Sequence, residues 1–151
     1  MEAHFYNVDV NWKQDRKGTV CSPELNQFSG EANNCIEVAT PPEFPKGIPG
    51  IWSPEHLFTA AVSSCLMTTF LSIAENSKLD FINFSCKSKG KLEQVEGKFI
   101  MSEIILEPTV TIADEKDRER AERILQKSET ACLISNSVKS KITMISVILI
   151  K

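Results

Sequence analysis

No Cys-x-x-Cys pair and no tight cluster of cysteine and histidine occurs in the 151 residues. The spacing that structural zinc sites use is therefore missing, and no metal is expected. There is no basic stripe either. Lysines and arginines are scattered and the formal net charge is −3, so nucleic acid is not an expected partner. The opening MEAHFYNVDV lacks the charged and apolar regions of an export signal. No continuous apolar run approaches the ~20 residues that span a bilayer, and no membrane partner is expected. The longest run, ISVILI, reads as a buried strand. Internal repeats and low-complexity tracts are absent. Five cysteines, at 21, 35, 65, 86 and 132, are an odd number in a chain with no export signal. That argues against a structural disulfide framework and for a cytoplasmic, reducing location.

What is present is the composition of an ordinary globular protein, 42% hydrophobic and 25% charged. The length suits one domain, residues 1–151, with a real core. HFYNVDVNW alternates and places Tyr6, Val8, Val10 and Trp12 on one half-buried strand face. Asp15 to Gly18 read as a turn, TVCS as the returning strand and CIEVAT as a third strand. Residues 41–54, PPEFPKGIPGIWSP, hold five of the seven prolines. They form a stiff loop that shapes a surface.

That loop delivers a helix. Ser53 fits the N-cap and Pro54 the first helical position, with Glu55 in the first turn. The helix is apolar on nearly all sides, so it belongs in a domain centre or a subunit interface. FINFSCKSKGKLEQ and GKFIMSEIILEPTVTI are two strands joined by a hairpin at Glu96-Gly97, with Ile82, Phe84 and Cys86 facing the core. Asp114 caps a second helix whose inner stripe is Ala121, Ile124, Leu125 and Ser128. SKITMISVILI is one final strand. The order β-β-β-α-β-β-α-β is α+β, with antiparallel strands packed around two main helices.

Cys65 lies in the middle of the first helix and has two readings. Buried cysteine commonly packs as a small hydrophobe. A reactive cysteine needs thiolate, and a thiol of pKa about 8.5 is only ~3% ionised at pH 7. Cys65 is about three turns inside the helix, beyond the reach of the terminal dipole. Activation therefore calls for a nearby cation from another part of the chain. Cys21, Cys35 and Cys86 fall on strands and read as ordinary core residues.

SPEHLFTAAVSSC resembles the Pro-Glu-x-Leu…Ala-Ala…Cys signature of the OsmC/Ohr family of peroxide-stress proteins. ETACLISNSVKSKI resembles the family's second cysteine segment, and WKQDRKGTV its N-terminal hairpin turn. The two cysteine motifs lie 67 residues apart and in the family's order. The resemblance implies that Cys65 is the peroxidatic thiol and Cys132 the resolving thiol. It matches Arg16 to the arginine that favours the thiolate, with Lys13 and Lys17 as alternatives in a shifted register. Glu55 matches the glutamate that orients this arginine. Arginine is suited to that work because its guanidinium stays charged and pairs with carboxylates in bidentate fashion. The resemblance also implies an intertwined homodimer, an organic hydroperoxide or hydrogen peroxide as substrate, and a lipoyl-type or other dithiol as reductant; no cofactor is expected.

Phe44, Ile48, Ile51, Trp52 and Phe58 surround the stiff loop and the helix entrance. They would favour a peroxide with an apolar tail, and they would equally serve as core. Leu133 stands where many relatives have proline, and His56 where glutamine or glutamate is usual, so the broad family is assigned and not a branch. Ser135 and Asn136 read as capping residues. Besides the peroxidase, two other readings stand: a dimeric carrier of a lipid or other small ligand, and a redox sensor without turnover.

Overall fold

The computed structural model describes residues 1–26 and 34–151. Their contacts group into two compact units, Met1–His56 and Leu57–Lys151. In the first unit β1 (Asp9–Gln14) turns through Asp15 and Arg16 into β2 (Lys17–Cys21). Asp15 adopts the left-handed conformation, φ 47°, which short polar side chains tolerate. A single helical turn, α1 (Pro23–Asn26), follows β2. β3 (Cys35–Ala39) pairs with the other edge of β2, giving an antiparallel sheet ordered β1-β2-β3.

Two expectations fail in this sheet. Tyr6 and Val8 precede β1, and all four residues of the alternating face, Val10 and Trp12 included, are exposed. Alternation specifies a face but not what covers it. The second correction concerns Cys21 and Cys35, which are not ordinary core thiols. They pair across β2 and β3 with Cα atoms 4.2 Å apart and form a disulfide. The register of the two strands brings them together, and counting cysteines could not supply that register.

The Pro-rich loop folds back on itself, with Gly47 N–H donating to Phe44 O and Ile48 N–H to Thr40 O, each at 2.9 Å. It leads into α2 (Pro54–Asn76). Ser53 caps this helix as expected: its Oγ accepts the His56 N–H at 3.3 Å. His56 Nδ1 in turn accepts the Ser53 N–H at 3.3 Å. The imidazole thus fills the reciprocal role usually taken by Glu or Gln three residues after the cap.

The second unit is built on a long hairpin, β4 (Asn83–Val95) and β5 (Lys98–Ile112), with Glu96 and Gly97 both at positive φ in its turn. The other edge of β5 takes two strands in parallel, β6 (Lys141–Met144) and β7 (Val147–Ile150), so the sheet is mixed. The single final strand expected from SKITMISVILI is therefore divided. The gap faces Glu107 and Pro108 of β5, and proline has no N–H to give to the ladder. Of the apolar run in β7 only Ile148 is buried. Asp114 caps a 3-10 turn, accepting the Lys116 N–H at 3.0 Å, and α3 (Arg118–Ala131) continues from it.

Both long helices lie on one face of this sheet. Ile104, Leu106, Val110 and Ile112 of β5 alternate inward. Val62, Leu66, Phe70 and Ala74 of α2 meet them at i, i+4 spacing, and Ala121, Ile124, Leu125 and Ser128 of α3 form the stripe read from the sequence. Phe70 joins the two groups, with Phe84 stacked at 4.9 Å and Phe81 edge-on at 5.2 Å. Ile82 lies outside β4 and is exposed, while Phe84 and Cys86 face the core as expected. The opposite flank of α2, including Met67 and Leu71, is exposed. By length and composition α2 meets the requirement for crossing a bilayer, with a mean hydropathy of 1.7. Core helices pass the same test, and polar residues interrupt every continuous apolar run in this one.

Where α2 crosses β4, Gly90 admits the helix: a Cβ there would collide with Thr59 Oγ1 and come within 2.5 Å of Met101 Cε. These atoms end side chains that can turn aside, so Gly90→Ala is expected to cost no more than about 1 kcal/mol, and the larger Gly90→Leu about 1–3 kcal/mol through overpacking. Denaturant unfolding of the two variants measures it, and an unchanged midpoint for Gly90→Leu would refute the close approach.

Candidate functional site

α2 and the turn after α3 bring Cys65 and Cys132 together. Cys132 caps the C-terminus of α3 in an extended conformation, and its side chain is fully buried. Its carbonyl accepts the Asn136 N–H at 3.0 Å, and Asn136 Nδ2 donates to Thr130 O at 3.0 Å. These bonds fix the turn through Leu133 and Ile134. The turn then presents backbone N–H groups to the half-buried Cys65, with Ile134 N–H 3.5 Å from its Sγ. Thr69, one helical turn further along α2, places its hydroxyl 4.0 Å from the same sulfur.

These contacts push the two thiols in opposite directions. Burial raises the Cys65 thiol, but hydrogen bonds from Cys132, from the Ile134 N–H, from Thr69 and from the Leu133 N–H outweigh it and hold Cys65 below the ordinary thiol value. Cys132 is raised, first by its burial and then by its hydrogen bond to Cys65, against a smaller opposing effect of Ser135. The two sulfurs are within hydrogen-bonding reach of each other, and the backbone donors of the turn converge on Cys65. The groups within hydrogen-bonding reach of Cys65 are uncharged donors, which add to any charge brought near it. Thr69 was within reach of a sequence reading, being four residues beyond Cys65. The backbone donors carry no sequence signal.

The other expected site residues sort by unit. Arg16 and Glu55 line one cavity of about 340 Å³ in the first unit, with Trp12, Pro41 and Phe44. Arg16 occupies the β1–β2 turn, where its carbonyl accepts the Thr40 N–H at 3.1 Å. Of the proposed apolar lining, Phe44 belongs to this cavity. Ile48 is half-buried in the loop, and Trp52 is exposed, its ring edge-on to His56 at 6.1 Å. Phe58 packs in the second unit against the Val62, Leu66, Ile104 and Leu106 cluster. Cys86 is a free thiol 3.4 Å from Ser88 Oγ. Among the described residues, no group of three or more His, Cys, Asp or Glu is disposed to hold a metal ion.

An α+β chain in which a helix-borne, half-buried cysteine meets a buried cysteine at the end of a second helix defines a two-thiol protein. Residues 47–146 match the OsmC-like protein family, and the chain belongs to that family. It is 24% identical over 149 residues to the uncharacterized protein YmaD of Bacillus subtilis, covering 95% of this chain and 93% of that one. Its fold is that of an OsmC-like protein of unknown function from Vibrio cholerae, with TM-score 0.81 and 22% identity over 96% of this chain and all of that one. It is also that of an organic hydroperoxide resistance protein OsmC from Legionella pneumophila, with TM-score 0.74 and 19% identity over 99% of this chain and 100% of that one.

Thr69→Val keeps the side-chain shape and deletes one donor. The pH midpoint for alkylation of the Cys65 peptide should then rise, since a group that favours the thiolate is lost. An unchanged midpoint would remove Thr69 from the groups that favour the thiolate.

Proposed function

We propose that this chain is a thiol-dependent peroxidase acting on organic hydroperoxides. The observation that carries the reading is geometric: half-buried Cys65 meets the Ile134 N–H, the Thr69 hydroxyl and the turn that holds buried Cys132. The Cys65 thiolate attacks the terminal peroxide oxygen, the O–O bond breaks, and the departing alkoxide takes a proton to become an alcohol. Cys65 is left as a sulfenic acid. The Cys132 sulfur then displaces hydroxide from it, giving a disulfide and water. An external dithiol, lipoyl-type or similar, restores both thiols and leaves as its own disulfide. Location in the cytoplasm would keep such a reductant available.

In this reading Arg16 adds a positive charge that favours the thiolate, and Glu55 orients the arginine. Family resemblance and their shared cavity support these roles. The apolar lining of that cavity, Trp12 and Phe44 among it, suits a substrate with a hydrocarbon tail. A homodimer would cover the exposed flank of α2, since an apolar helix face left bare is favoured to pair. The same cavity also supports a second reading, a small-ligand carrier in which the thiols are incidental.

Rapid mixing of the reduced protein with an organic hydroperoxide separates these readings. Cys65→Ser should slow oxidation by at least ~100-fold, because a serine hydroxyl cannot reduce a peroxide. Cys132→Ser should stop at the sulfenic acid. Ligand binding that survives Cys65→Ser, in a protein oxidised no faster than a free thiol, would select the carrier. A single oxidation per site that no dithiol reverses would select a sensor.

A further inference from the structure

The sheet of the first unit has little core among its described residues. Tyr6, Val8, Val10, Trp12 and Ile36 are exposed, and the buried apolar positions on and beside the sheet, Gly18, Ala39 and Pro41, are small. A three-stranded sheet with so little burial depends on its ladder and on cross-links. Two cross-links join β2 to β3. One is the Lys17–Glu37 ion pair at 3.0 Å, solvent-exposed enough to contribute little. The other is the Cys21–Cys35 disulfide.

We propose that Cys21 and Cys35 form a second thiol–disulfide couple, and that its redox state governs the cavity built on the same three strands. The rung Asp9, Cys21 and Cys35 closes one end of the sheet, while the rung Trp12, Gly18 and Val38 lines the cavity near the other. Three residue steps along β2 separate them, about 10 Å. Freed of its covalent tie, β3 can fray from β2 at the cysteine end and loosen the rung beside the cavity, where Ala39 N–H donates to Trp52 O at 2.9 Å.

Both cysteines are only partly buried, so a small dithiol can reach them. One of its thiolates attacks one sulfur, the S–S bond breaks, and the other cysteine leaves as a thiolate that takes a proton. The dithiol's second sulfur then displaces the first cysteine. The products are two protein thiols and the cyclic disulfide of the reagent, a two-electron exchange that the cyclic disulfide can drive backwards. This inference does not rest on peroxidase activity.

The chain's two tryptophans, Trp12 and Trp52, are both in this unit, so tryptophan emission reports on it alone. The test uses the Cys65→Ser/Cys132→Ser protein, which silences the other pair, with binding of anilinonaphthalenesulfonate as a second readout. Purified without reductant, it should yield Cys21 and Cys35 to alkylation only after dithiothreitol. Reduction should shift the tryptophan emission and change dye affinity several-fold, and reoxidation should reverse both. Adding Cys21→Ser and Cys35→Ser should reproduce the reduced state and abolish the response. The reversible reduction needs no change at those positions, so it decides the matter even where that variant fails to fold. Alkylation of both cysteines without reductant would overturn the proposal. Emission and dye affinity unchanged on reduction would overturn it too, leaving a structural cross-link only.

Discussion

Everything chemical in the second unit depends on α2 and α3 being held against the same face of β5. The inward residues Ile104, Leu106, Val110 and Ile112 set the height of both helices above the sheet. Only at that height does the turn after α3 meet the middle of α2. Hydrophobic burial supplies the energy for this arrangement without specifying sulfur chemistry. The Cys132–Ile134 turn then adds what packing cannot, a backbone N–H 3.5 Å from the Cys65 sulfur.

The two units solve the problem of stability differently. The second has interlocked aromatic and aliphatic side chains around Phe70. The first has short strands, small buried residues, a stiff proline-rich loop and a covalent tie. Ordering a chain with few buried side chains is costly in conformational entropy. Prolines and a disulfide reduce that cost by restricting the unfolded chain. The cavity that holds Arg16 and Glu55 is thus built on the less deeply buried part of the protein, where binding sites commonly lie.

Much of this could be read from the sequence because the signals were local. Ser53-Pro54 marked the helix start, Glu96-Gly97 the hairpin, and the spacing of Ala121, Ile124, Leu125 and Ser128 the buried face of α3. The cysteine segments were legible through family resemblance. What escaped depends on partners distant in the chain. Strand register decides that Cys21 meets Cys35, and it decides that Pro108 lies opposite residues 145 and 146. The donors around Cys65 are mostly backbone groups, identical in every residue but proline. His56 stands where glutamine or glutamate is usual, and its reciprocal bond to Ser53 emerges only from the geometry. The bare face of β1 shows the opposite limit, a pattern that was clear and a cover that it did not specify.

The break opposite Pro108 also divides the cooperativity of the sheet edge. β6 and β7 each hold four paired positions on β5, with an interruption between them. Neither ladder needs the other in order to open. Amide exchange in residues 147–150 can therefore proceed by local fraying while residues 141–144 stay protected. Strand β6 follows the cysteine turn, so fraying of β7 can stop at the proline gap without reaching the segment that anchors Cys132.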